Sequence, residues 1–227
     1  ETFEWSQYFP FHHNVAVAVD SGYFLYHTDS PLRRKGRMRV RQKARRHELE
    51  EAFGRASSRA VEDGMRDLLT PIFSRVIRSD DHRAYPRAIA ALERSVTHRI
   101  TSSKRRRDRR NPLWEVNLLD LMIRHSTAAH KRETIAWAKR RQASIEKLAI
   151  FQVWRNYMKK RREKGARVTP AMMLGLTRRP WRLRDLLKER LFFDKIELST
   201  RWQSYYRREV RTVALSVNRT HQLRYTF

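Results

Sequence analysis

Apolar residues in the centre of the chain recur with a helical period. Residues 128–164 contain no Gly or Pro, and Ile135, Ala138, Ile145 and Tyr157 fall on one flank. Lys and Arg occupy most of the remaining surface. Apolar residues spaced by three or four positions, with polar residues between them, are typical of an amphipathic helix. The pattern therefore predicts one long basic helix over residues 128–164.

Helical spacing also occurs on the N-terminal side of this segment. Residues 47–101 carry apolar stripes with the 3.6-residue period, and the last of them predicts a single helix that includes both Ile89 and Ile100. Asn111, followed directly by a proline, has the composition of an N-cap and first turn. It marks the start of a second helical segment, which we place at residues 111–217.

The C-terminal third contains further helix starts. Thr169 precedes a proline and predicts a short capped helix. A second proline, Pro180, opens a pattern in which Leu183 and Leu187 are expected to face inward. The last apolar stripe begins at Trp202 and favours a helix, although its final part alternates well enough for a strand.

Short alternating runs near the N-terminus predict a β-hairpin. The strands are expected at Val15–Val19 and Tyr23–Tyr26, and the connecting residues include Asp20, a favourable turn residue. The predicted fold class is therefore mostly α, with several helices, one of them long and basic, a short N-terminal hairpin and basic extended arms. The predicted segments are an aromatic stretch with the hairpin (1–31), a basic arm (32–46), a helical segment (47–101), a basic loop (102–110), a helical segment with the long helix (111–217) and a C-terminal tail (218–227).

The net charge is the strongest compositional signal. The chain has 51 Lys and Arg against 24 Asp and Glu, which gives a formal net charge of +27. Such a charge repels itself in a compact protein unless a polyanion neutralises it. Most of the basic residues are arginine, whose planar guanidinium fits phosphate and stacks on bases. The composition favours a nucleic-acid partner, and more weakly an anionic membrane surface.

Four basic clusters recur along the chain, at residues 33–46, 104–110, 159–167 and 178–190, with aromatic residues near several of them. Cations neutralise phosphates and release counterions, and exposed aromatic rings can stack on unpaired bases. The expected RNA-binding residues are Arg33, Arg34, Lys35, Arg37, Arg39, Arg41, Lys43, Arg45, Arg46, Lys104, Arg105, Arg106, Arg107, Arg109, Arg110, Lys159, Lys160, Arg161, Arg162, Lys164, Arg178 and Arg179.

Motifs for catalysis and cofactor binding are missing from the sequence. There is no cysteine, which excludes disulfides and Cys-ligated zinc, and no phosphate-binding glycine loop or HExxH pair. No run of 18 apolar residues occurs, so no transmembrane helix is predicted. We therefore expect no enzyme activity, no catalytic residue, no cofactor, no metal and no small-molecule substrate.

The arginine-rich stretches LRRKGRMRVRQKARR, from Leu32, and SSKRRRDRR, from Ser102, resemble the lineage-specific proteins of mitochondrial ribosomes. The resemblance is one of composition and layout over the whole chain, and it rests on no specific motif. It implies a structural rRNA-binding protein in the mitochondrial matrix. Its basic arms would order on rRNA, and its aromatic N-terminus would contact neighbouring ribosomal proteins.

Two alternatives belong to other classes. Asp20, at the end of an apolar strand, resembles the first metal-binding carboxylate of RNase H-like nucleases and transposases, with Asp80, Asp81, Asp120 and Glu133 as possible partners. Those enzymes need clustered carboxylates for paired magnesium ions, and further strands alternating with helices. The other alternative is an accessory subunit of a mitochondrial membrane complex, held on anionic lipid; the predicted long helix is too basic for a lipid-facing surface.

Overall fold

The computed structural model describes the chain in four ranges, which are residues 2–3, 8–130, 138–189 and 197–213. Two of the predicted features lie outside these residues. They are the C-terminal tail, 218–227, and the candidate carboxylate Glu133.

Helices and strands are interleaved along the described ranges. The strands are β1 (Thr2–Phe3), β2 (Pro10–Val17), β3 (Phe24–Pro31), β4 (Val76–Asp80) and β5 (Thr97–Thr101). The α-helices are α1 (Val40–Phe53), α2 (Ala60–Leu69), α3 (Ala84–Ala90), α4 (Trp114–Ser126), α5 (Arg141–Val153), α6 (Pro170–Met173), α7 (Leu183–Leu186) and α8 (Thr200–Tyr206). A 3-10 turn covers Ala128–His130 and a π-helical turn covers Trp154–Met158.

The strands form two small sheets. β1, β2 and β3 make an antiparallel sheet in that order, with His13 opposite Asp29 and an irregularity between Ala16 and Val17. β4 and β5 pair in parallel, with Arg78 opposite Arg99. A parallel pair needs a crossover connection, and α3 supplies it.

Helix α2 packs closely against the antiparallel sheet at a glycine. The Thr28 hydroxyl donates to the carbonyl oxygen of Gly64, over 2.7 Å, and the buried Asn14 amide donates to the Thr28 and Ser30 hydroxyls. A Cβ atom on Gly64 would stand 2.6 Å from the Asn14 amide nitrogen and still closer to Ser30 Oγ. The absence of a side chain at this position therefore sets the distance between helix and sheet.

The C-terminal end of α2 is held by a side chain from the segment before β5. The Arg94 guanidinium donates to the carbonyl oxygens of Leu69, at 2.7 Å, Thr70, at 3.0 Å, and Ile72, at 2.5 Å. These groups include carbonyls that the end of a helix leaves without a partner. Arg94 therefore fixes the turn that leads from α2 into β4.

The opposite side of the sheet is covered by α4 and α5. The buried side chains of Phe24, Leu119, Ile123, Leu148 and Phe151 form one hydrophobic cluster there. Burial of side chains of this size stabilises a fold by about 1.5–3 kcal/mol each. This cluster is the largest of the three hydrophobic clusters among the described residues.

The π-helical turn after α5 joins the helix to β3 through polar contacts. The Lys159 amide donates to the Trp154 carbonyl, five residues back, at 2.9 Å. The buried Asn156 side chain accepts from the Phe24 amide and donates to the Phe24 carbonyl, both at 2.8 Å. Gln152 donates to the Leu25 carbonyl at 2.7 Å. Asn156 therefore satisfies backbone groups of β3 much as a neighbouring strand would.

The predicted long helix over 128–164 is wrong, and so is the mostly α fold class. Among the described residues from 138 to 164, α-helix begins at Arg141, after the extended Arg140, and helical structure stops before Lys159, which is also extended. At the other end, the Thr127 hydroxyl donates to the Ile123 carbonyl and the chain turns into the 3-10 segment. Local polar contacts at the segment ends prevail over a continuous apolar period.

The segment 47–101 also differs from its all-helical prediction. α1 stops before Gly54, which has φ of 89°, and the expected helix through Ile89 and Ile100 ends at Ala90, before β5 begins. β5 is rich in β-branched residues, which favour strands. The apolar residues from Ile89 to Ile100 have a helical spacing, but Ile89 lies in α3 and Ile100 lies in β5.

Smaller departures concern the basic arm and the C-terminal helices. Half of the predicted arm, 32–46, is folded, because α1 begins at Val40. Leu183 and Leu187, expected to face inward, are exposed. Thr169 caps α6 by accepting from the Met172 amide, as its sequence suggested. Across the described ranges, no helix has the length and apolar character that a membrane crossing requires.

We expect Gly64→Ala to destabilise the protein by about 1–3 kcal/mol, because the new methyl group overpacks the contact with Asn14 and Ser30. Chemical denaturation measures the change. Arg66→Ala, on the exposed side of the same helix, is the matched control and should change stability by less than about 0.5 kcal/mol. Equal effects of the two substitutions would contradict this account of the helix–sheet contact.

Candidate nucleic-acid interface and carboxylate pair

The first predicted basic cluster divides into exposed and internally paired residues. Arg33 forms an ion pair with Glu50, at 2.6 Å, and Arg46 lies 3.8 Å from the same carboxylate. The Arg34 guanidinium lies over the Tyr8 ring, 5.1 Å from its centroid. These three cations hold the start of the arm against α1, so their capacity to bind an anion is partly used.

The remaining cations of this cluster lie on or beside α1. Leu49 is buried against Phe9 on the inner side of the helix. The outer surface is basic and solvent-exposed, although Arg45 also contacts Glu48. The exposed cations are Lys35, Arg37, Arg39, Arg41, Lys43 and Arg45.

The second cluster, residues 102–110, is an exposed loop with a defined anchor. The Asn111 side chain donates to the Arg106 carbonyl, at 2.8 Å, and accepts from the Leu113 amide, at 2.8 Å. Asp108 accepts from the Arg110 amide, at 2.9 Å. The cations Lys104, Arg105, Arg106, Arg107, Arg109 and Arg110 are all exposed. The loop therefore presents its positive charge from a fixed base.

The third and fourth clusters are partly used inside the protein. Arg161 pairs with Glu115 of α4 at 2.8 Å, and Lys159 pairs with Glu163 at 2.6 Å. Arg179 binds both oxygens of Asp185, at 2.7 and 2.8 Å. Among the residues expected to bind RNA here, Lys160 is half-buried, whereas Arg162, Lys164, Arg178 and the paired Arg179 are exposed.

Aromatic residues expected near the RNA pack instead against one another. The Trp181 and Tyr157 rings are stacked, with centroids 4.6 Å apart, and the Tyr157 hydroxyl is hydrogen-bonded to that of Tyr23 at 2.9 Å. In the aromatic N-terminal segment, Phe9 and Phe11 are buried within this chain. Contact with neighbouring proteins through Phe9 or Phe11 would therefore require these rings to leave their own core.

Two arginines outside the predicted clusters face each other across the parallel sheet. Arg78 of β4 and Arg99 of β5 are register partners, and both are exposed. They line a groove of about 470 Å³ together with Arg105 from the basic loop. Neither strand arginine lies in a run of charged residues, and the strand-favouring residues around each were the available sequence signal.

Two acidic residues, Asp80 and Asp120, interact electrostatically at the carboxyl end of β4. Burial raises the pKa of Asp120, and the negative charge of Asp80 raises it further, while Arg124 acts in the opposite direction. Burial, together with the charges of Asp80 and Asp120, raises the pKa of Tyr85 to about 12. Asp80 at the end of β4 and Asp120 on α4 thus both act electrostatically on Tyr85 at the start of α3.

The carboxylate first suggested by the sequence, Asp20, is in a different environment. It lies in the exposed turn between β2 and β3, with φ of 72°. Asp81, which follows Asp80 in the sequence, is also exposed, and its carboxylate accepts a hydrogen bond from the Ser103 amide. Within the part of the chain that the structure describes, no group of three or more His, Cys, Asp or Glu side chains could hold a metal ion.

Buried histidines form a separate polar group between the antiparallel sheet and α5. The Ser144 hydroxyl is hydrogen-bonded to His13 at 2.7 Å and to His130 at 3.0 Å. His27 is fully buried among aromatic rings, and neither of its ring nitrogens has a hydrogen-bond partner among the described residues. Burial lowers the pKa of His27 and of His130 to about 4. These rings are structural and neutral at pH 7.

Comparison with family models, curated proteins and solved structures gives no match to this chain. Its function must therefore be argued from its own residues.

The buried histidines predict acid sensitivity. An unfolded histidine titrates near pH 6.5, whereas folded His27 titrates near 4, so between these values the unfolded chain binds the extra proton. Stability is therefore complete above pH 6.5 and falls as the pH approaches 4, by about 2 kcal/mol for this residue at pH 5.

His27→Phe tests this assignment, because the new ring suits the aromatic surroundings and does not titrate. Denaturant unfolding at pH 7.5 and 5 should show a smaller acid loss for the variant than for the wild type. An identical loss in both proteins would exclude His27 as a source of the pH dependence.

Proposed function

We propose that this protein binds nucleic acid through its basic surface and catalyses metal-dependent phosphoryl transfer on it, as nucleases and transposases do. The observation that carries the proposal is the electrostatic interaction of Asp120, a largely buried residue of α4, with Asp80 at the end of a parallel strand. A carboxylate whose pKa is raised by burial and by a second carboxylate is a candidate for a functional site. The exposed cations supply affinity for the phosphate backbone.

The order of elements supports the same proposal. The RNase H-like resemblance requires strands alternating with helices after the N-terminal hairpin, a feature that the sequence did not reveal. The chain has α2, β4, α3 and β5 in that order, and β4 and β5 are parallel. In open sheets with parallel strands, active sites lie outside the carboxyl ends of the strands, where Asp80 is found.

The donor set suits a hard divalent cation. Mg²⁺ is commonly bound by one or two carboxylates, with water and substrate phosphates completing its shell. Asp80 and Asp120 are the residues that would hold it, and a cation bound there would stabilise negative charge on the reacting phosphate oxygens. Tyr85 keeps its proton at pH 7 and can donate a hydrogen bond from beside the two carboxylates.

Substitution of the carboxylates tests the proposal. In the full-length protein, we expect Asp80→Asn and Asp120→Asn each to lower Mg²⁺-dependent cleavage or strand transfer of DNA by about 100-fold or more, comparable to removing one transition-state stabiliser. Asp120→Asn should not lower the melting temperature, since burial already disfavours its charge.

Asp20→Asn is the matched control, because it also replaces an aspartate by asparagine but lies in an exposed turn. Its activity should equal that of the wild type. Loss of activity in Asp20→Asn alone would transfer the role to Asp20, and absence of metal-dependent activity in the wild type would reject the enzymatic part of the proposal.

A second candidate is the structural rRNA-binding protein of a mitochondrial ribosome, located in the matrix. It is favoured by the dense exposed cations of α1 and of the 102–110 loop. Sedimentation of the native protein from a gentle lysate distinguishes the two candidates. Co-migration with a large particle, abolished by RNase, supports the ribosomal role. A small, RNase-insensitive species rejects it.

A further inference from the structure

The two facing arginines on the parallel sheet are electrostatically unfavourable in the free protein. Arg78 and Arg99 occupy opposite register positions on neighbouring strands. Like charges that face each other across a sheet destabilise it. Among the described residues neither guanidinium has an ion-pair partner, and both are exposed to solvent. The arrangement costs stability unless an anion lies between or beside the two side chains.

The shape of the surrounding surface fits such an anion. The groove of about 470 Å³ has Arg78 and Arg99 on the sheet and Arg105 on the basic loop. Ile100, Thr101, Ser102 and Pro112 also line it. The lining thus combines three cations, which come from three segments of the chain, with hydroxyl groups. Both kinds of group bind phosphate oxygens.

One carboxylate, Asp80, belongs to the same strand as the groove residue Arg78. Side chains two residues apart on a strand point to the same face, so Arg78 and Asp80 share one face of β4. Their separation along the strand is about 6.6 Å. A phosphate held by Arg78 and Arg99 would therefore lie about two residues along β4 from Asp80.

We propose that the groove between Arg78, Arg99 and Arg105 binds the phosphodiester backbone of a nucleic-acid strand and leads that strand toward Asp80. This inference rests on the proposed function and specifies where its substrate lies. The exposed cations of α1 add sequence-independent affinity at a distance, whereas the groove sets the path of the strand. Binding also removes the repulsion between the two strand arginines.

The test measures the affinity of the full-length protein for a fluorescent single-stranded DNA oligonucleotide at several salt concentrations. We expect the double variant Arg78→Gln/Arg99→Gln to weaken binding about tenfold or more. The slope of log affinity against log salt should fall by about 0.7 for each lost phosphate contact. In the free protein, the same variant should melt at a temperature no lower than the wild type, because the repulsion is gone.

The matched control is Arg55→Gln/Arg59→Gln, which removes the same charge from exposed positions between α1 and α2. It should change the affinity less than twofold. Equal losses of affinity in the two double variants would show that only net charge matters, and would contradict binding in the groove. Unchanged affinity of the groove variant would overturn it as well.

The failure of this inference and the failure of the proposed function are distinguishable. If wild-type cleavage depends on Asp80 while the groove variant binds DNA normally, the proposed function stands and the groove is rejected. If the groove variant loses affinity while the wild type has no metal-dependent activity, the groove stands and the enzymatic proposal is rejected. A wild type without affinity for DNA rejects both.

Discussion

One buried carboxylate, that of Asp29, connects most of the elements around the antiparallel sheet. Arg141, at the start of α5, donates to it at 2.6 and 2.8 Å, and the Tyr205 hydroxyl of α8 donates to its other oxygen at 2.8 Å. Arg201 donates to the Asp29 carbonyl at 3.0 Å and pairs with Asp67 of α2 at 2.6 Å. A buried charge is tolerated only when paired and hydrogen-bonded, so removal of one partner would leave the others without compensation.

The charge of the chain is therefore used in two different ways. Some arginines, such as Arg141 and Arg94, satisfy internal carboxylates and carbonyls and are part of the fold. Others, on α1 and on the 102–110 loop, remain exposed and give the surface its affinity for polyanions. Sequence composition counts both groups alike, and only the packing separates them.

Local signals in the sequence were informative where the structure is local. The Thr169 cap and the N-terminal turn at Asp20 depend on neighbouring residues, and their positions could be foreseen. The pairing of β4 with β5 depends on residues about twenty positions apart, and the helical period through Ile89 concealed it. The same reason hid the groove, since Arg78 and Arg99 become neighbours only through that pairing. It also hid the electrostatic interaction of Asp80 with Asp120.

The π-helical turn at Trp154–Met158 has a consequence for how this chain can vary. One added residue in a helical turn rotates everything after it by about 100° relative to a continued α-helix. Loss of a single residue at this point would restore a regular helix and swing the Asn156 amide away from the Phe24 backbone. The turn therefore makes the chain length within this segment as stringent a requirement as the identity of its side chains, and insertions or deletions should be confined to the loops on either side.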